Sequence, residues 1–86
     1  MKPTIGRIVH VNFRNRREKR VTRPAIIVED WGGTIDDQTI NVQVFTDASN
    51  DGLDGGTLWM TSVAYGEPKS DTPIDASAFW FWPPRV

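Results

Sequence analysis

His10 is the single imidazole in the chain, and there is no cysteine. Thiol nucleophiles, thiolate metal sites and disulfides are therefore excluded, and any acid–base chemistry would have to centre on His10 or on paired carboxylates. Asp36-Asp37 is such a pair. Neighbouring residues in a strand point to opposite faces and in a turn usually point to solvent, so this pair reads as turn residues and not as a converging acid and base. Asp47-x-Ser49-x-Asp51-Gly52 matches the opening of a calcium loop. The match then fails: Leu58 stands where the bidentate glutamate belongs, and strand-like patterns flank the loop. No glycine-rich phosphate loop precedes a helix. The chain reads as non-enzymatic, with neither a metal site nor a cofactor expected.

What remains is chemistry of recognition. Four Trp, four Phe and one Tyr are more large rings than a small core conceals, so some should be partly exposed and able to stack on a ligand or a protein neighbour. Six of the ten basic residues lie between Arg14 and Arg23, a density that attracts phosphate or an acidic surface. The candidate ligand-binding residues are Arg7, His10, Arg14 and Arg23 for anionic groups and Trp59, Tyr65 and Trp82 for stacking. The plainer readings are a solvated hairpin tip for the basic run, a half-buried imidazole for His10, and core or subunit interface for the aromatic run.

Strands must position these groups. Residues 5–14 alternate with period two, 21–29 are rich in β-branched residues with Pro24 forcing an edge or bulge, and 39–46 alternate again. A ten-residue Asn-, Asp- and Gly-rich loop spans 47–56, a fourth strand 57–65, a polar linker 66–75, and a fifth strand 76–82 ended by Pro83-Pro84. In that last strand Trp80 and Trp82 share one face and Phe79 and Phe81 the other. No helical stripe is sustained. Five short strands predict an all-β fold, a small, partly open antiparallel barrel of the SH3-like kind, with an OB-like barrel as the nearest competitor.

The whole chain, 86 residues and 9.7 kDa, forms one domain, 1–86, with no repeat or internal boundary. With 38% hydrophobic and 24% charged residues it has the composition of a globular protein. It lacks a membrane-length apolar run or a secretory leader, so the expected location is the cytoplasm, with no membrane partner. The net charge of −1 hides a split: eight Lys/Arg and one acid in residues 1–28, two Lys/Arg and ten acids in 29–86. With a pI near 5.7, nucleic acid is the less favoured partner. Little core and no staple make self-association, a homo-oligomer, the expectation.

Gly6-Arg7-Ile8-Val9-His10-Val11, Arg23-Pro24-Ala25-Ile26-Ile27-Val28, Asn41-Val42-Gln43-Val44-Phe45-Thr46, Thr61-Ser62-Val63-Ala64-Tyr65 and Trp80-Phe81-Trp82-Pro83 occur in order over nearly the whole chain. Together they resemble a family of small, mostly uncharacterised accessory proteins of tailed bacteriophages and their hosts. That family closes with Trp-His-Trp-Pro and an acid, where this chain has Phe81 and Pro84. The resemblance implies a β-rich phage accessory protein and makes Arg7 and His10 first candidates for a shared site. By analogy with phage proteins that counter host defence, it implies a sponge that sequesters a small nucleotide-like immune signal, such as a cyclic nucleotide. The competing expectation is an SH3-like interaction module contacting protein or nucleic acid through the basic 14–23 hairpin.

Overall fold

A computed structural model describes residues 3–32 and 38–84. Asp36 and Asp37, read above as turn residues, lie outside the described residues. Five strands, β1 (Ile8–Arg14), β2 (Arg20–Asp30), β3 (Ile40–Phe45), β4 (Thr57–Tyr65) and β5 (Phe79–Phe81), hydrogen-bond in the order β1-β2-β3-β4-β5 and close on themselves as a barrel. The only helical element among the described residues is one 3-10 turn, Ala48–Asp51. The fold is all-β, a small SH3-like barrel. No helix among the described residues is long and apolar enough to cross a membrane.

Two features of the barrel differ from the sequence-based expectation, and one cause explains both. The barrel is closed, not partly open, and β4 and β5 pair in parallel. Directions alternate from β1 to β4, and β5 is antiparallel to β1. A closed ring with an odd number of strands cannot alternate throughout, so one parallel pair is required. Parallel neighbours need a connection of about a dozen residues or more, which is the work of the polar segment 66–78.

The period-two patterns place the core. Val9, Val11 and Phe13 of β1 point inward with Ala25, Ile27, Ile40, Val42, Val44, Val63 and Trp80, all buried. The first strand starts at Ile8 and not at Ile5 because Gly6 takes φ +90° in a turn whose N–H bonds to the Ile27 carbonyl at 2.8 Å. The last strand is shorter than expected, three residues instead of seven. Trp80 fixes it: its ring is fully buried and its Nε1–H donates to the Gln38 carbonyl at 2.7 Å.

β3 carries a polar exception to its alternation. Asn41 is buried beside a register shift between β3 and β4. Its Oδ1 accepts from Trp31 Nε1 (2.8 Å), Thr61 Oγ1 (2.8 Å) and the Ser62 N–H (2.9 Å). Ser62 sits at φ +56°, the left-handed conformation expected at a bulge, and the Asn41 amide satisfies the backbone donor that the bulge leaves over.

Candidate functional site: an aromatic pocket at one end of the barrel

Of the seven residues singled out in sequence, Arg14 and Arg23 belong to the basic hairpin, Arg7, His10, Tyr65 and Trp82 lie toward the other end of the barrel, and Trp59 stands apart on the outside of β4. β1 runs from one end to the other, a length of about 20 Å for seven residues. The basic hairpin follows its C-terminal end.

At that hairpin the cations are largely engaged. Asp51 is fully buried and accepts Arg23 Nε (2.9 Å) and Nη2 (2.8 Å), Asn15 Nδ2 (3.0 Å) and the Asp47 N–H (2.8 Å). Hydrogen bonding from Arg23, against the opposing effect of burial, holds the Asp51 carboxyl well below the usual carboxylate range, and the same bonds raise the Arg23 guanidinium. The Asn15 Oδ1 accepts the Arg17 and Lys19 N–H groups, the Arg16 N–H donates to the Asp51 carbonyl, and Arg17 Nε donates to the Ser49 carbonyl. The residues that looked like a calcium loop instead form a cradle for the hairpin. Arg14 pairs with Glu18 at 3.0 Å on the surface. Arg23 and Arg14 thus have partners within the chain, and what the tip presents outward is Arg16 and Lys19, both exposed.

Arg20, not singled out from sequence, is a second clamp. Nε and Nη2 donate to Asn12 Oδ1 at 2.9 and 2.7 Å, Nη1 donates to the Ala76 carbonyl, and the guanidinium lies 5.9 Å from the centre of the Phe79 ring. Burial lowers its pKa. It ties the 66–78 segment to the β1–β2 hairpin. Sequence offers no signal for this role, because the partner carbonyls lie more than fifty residues away.

The other end gathers aromatics. Tyr65, Glu67, Pro68, Phe81, Trp82 and Pro84 line a pocket of about 250 Å³. Trp80 is its floor support: Tyr65 meets Trp80 edge-on at 5.0 Å and Trp82 meets it edge-on at 5.3 Å. The tryptophan face of β5 therefore belongs to the core, while Phe79 and Phe81 lie half-buried on the outside. His10 stands opposite Phe81 in the β1–β5 register, half-buried, with its ring edge-on to Phe81 at 5.7 Å. Arg7 lies three residues before His10 at the same end, with Nε donating to Thr4 Oγ1 at 3.2 Å. The Tyr65 hydroxyl donates to Glu67. Trp82 Nε1 is buried and has no hydrogen-bond partner among the described residues.

Tyr65 and Trp82 thus share one pocket and His10 meets its Phe81 wall, whereas Arg7, Arg14, Arg23 and Trp59 are not among the described lining residues. Trp59 is 48% exposed on the outside of β4, six residues and about 20 Å before Tyr65. It continues a row of outward-facing residues, Ile8, Ile26 and Gln43, set opposite one another across β1 to β4. Sequence reasoning missed Glu67 and Phe81 as pocket residues. Phe81 was visible in the aromatic run, while Glu67 carried no signal in a polar linker. No cluster of three or more His, Asp or Glu able to hold a metal occurs among the described residues. Comparison with protein-family models, with curated proteins and with solved structures finds no match.

Proposed function

We propose that the chain is a non-enzymatic phage accessory protein that binds and sequesters a small nucleotide-like immune signal, holding a base in the Tyr65–Phe81–Trp82 pocket. The observation that carries the reading is the convergence of Tyr65 and Trp82, two candidate stacking residues, on one ring-sized pocket whose Phe81 wall is met edge-on by His10. Aromatic walls stack any base face, and the imidazole of His10 against Phe81 offers a donor to a phosphate oxygen outside the pocket. Sequestration itself comes from the family resemblance and the analogy with phage sponges. Titrating tryptophan fluorescence and heat of binding with cyclic di- and trinucleotides tests the reading. Micromolar or tighter binding, abolished by Tyr65→Ala, is expected; affinities no better than about 1 mM throughout overturn it. Self-association belongs to this reading in the version where two copies share the ligand. A monomer mass by light scattering, with and without ligand, removes that version.

A second reading is favoured by the rigid bedding of the hairpin on the 47–52 turn. An anchored tip presenting Arg16 and Lys19 suits an SH3-like interaction module that contacts an acidic protein surface or nucleic acid. Arg16→Glu with Lys19→Glu leaves the bedding contacts in place, so loss of partner capture in a folded variant supports this reading. Unchanged capture removes it.

A further inference from the structure

The pocket has one charged lining residue among the described residues, and it is an acid. Among Tyr65, Glu67, Pro68, Phe81, Trp82 and Pro84, Glu67 offers acceptors only. One of its oxygens, Oε1, accepts the Tyr65 hydroxyl, which fixes the carboxylate against the aromatic wall and leaves Oε2 and the second lone pair of Oε1 to a ligand. A ring stacked here must bring donors in its own plane to meet them. We infer that Glu67 makes this pocket selective for guanine.

The inference rests on the nucleotide reading above and follows from the edges of the bases. Guanine presents N1–H and the N2 amino group side by side, two parallel donors that match the two oxygens of one carboxylate. Adenine and cytosine each set a ring-nitrogen acceptor beside a single amino group, so one carboxylate oxygen would face a lone pair. Uracil has one N–H between two carbonyls. A bidentate base contact discriminates by about 1–3 kcal/mol, or roughly five- to 150-fold, and an unmatched acceptor beside the carboxylate adds to the penalty for the wrong base. The phosphate must then point away from Glu67, toward the His10 side of Phe81.

Fluorescence and calorimetric titrations with GMP, IMP, AMP, CMP and UMP at one ionic strength test this. GMP should bind at least about tenfold more tightly than AMP, CMP or UMP, with IMP, which lacks the amino group, between. Glu67→Gln, at an exposed position, should leave the melting temperature unchanged and erase the preference for GMP. Equal binding of all five, or a preference that survives Glu67→Gln, overturns the guanine assignment and leaves the nucleotide reading standing. No binding by any nucleotide, cyclic ones included, overturns both. An arginine guanidinium carries the same paired donors, so N-acetyl-arginine amide is titrated in parallel. Its binding in place of GMP also overturns the assignment and makes the pocket a peptide site.

Discussion

The carboxylate of Asp51 accepts four hydrogen bonds and is wholly removed from solvent, so its partners were desolvated together and depend on one another. Arg23 keeps 26% of its side chain exposed, so the charge left behind is partly solvated, and losing hydrogen bonds to a charged group costs about 1.5–3 kcal/mol. Asp51→Asn should therefore lower the urea-unfolding free energy by that order. Because the folded carboxyl is held below its ordinary value, its contribution is complete above the unfolded aspartate value of about 3.9 and is lost as pH falls toward the folded value. Urea midpoints of the native chain should drop steeply below about pH 4, and the Asp51→Asn variant should lose much of that drop. A variant as pH-sensitive as the parent would contradict the pairing. None of this was visible in the sequence, where Asp51 looked like a turn residue or a calcium ligand and Arg23 like a free cation.

Single positions act on whole elements at the two irregular joints. Gly52 ends the 3-10 turn at φ +76°, and a Cβ there would lie 2.8 Å from Arg16 Cβ. Gly52→Ala combines left-handed strain of about 1–2 kcal/mol with a steric push against the hairpin. It should raise amide exchange at the Arg17 and Lys19 N–H groups together, because the Asn15 Oδ1 holds both. Exchange rates that stay unchanged would mean that the turn does not hold the tip. At the β3–β4 bulge, Asn41→Leu keeps the branched shape but strands the Ser62 N–H. A loss of about 1–3 kcal/mol in denaturant unfolding is expected. The strands themselves were legible: alternation in 39–46 gave β3 within a residue, and the strand read at 57–65 is β4. The bulges were not, since an asparagine in an alternating run carries no sign of the donors it will meet.

Over the whole molecule, the basic tip and the aromatic pocket stand at opposite ends of the barrel, and on the proposed readings they act separately. Arg16 and Lys19 lie at one end and the aromatic pocket at the other, so Arg16→Glu with Lys19→Glu should leave nucleotide affinity at the pocket within about twofold at 0.15 M salt, where charges a barrel length apart are screened. A tenfold loss would place the tip in the binding site and sink the separation. Fold class, strand number, the inward faces of β1 and β3, and the absence of any thiol were determined by the sequence alone, because residue type and period two are local properties that need no knowledge of partners. Closure, the parallel β4–β5 pair, the Arg23–Asp51 and Arg20–Ala76 clamps, and the choice of Tyr65, Phe81, Trp82 and Glu67 as one pocket were decided only by tertiary structure. Each depends on which distant segments lie side by side, and five strands can close a ring only if the last turns to run beside the fourth.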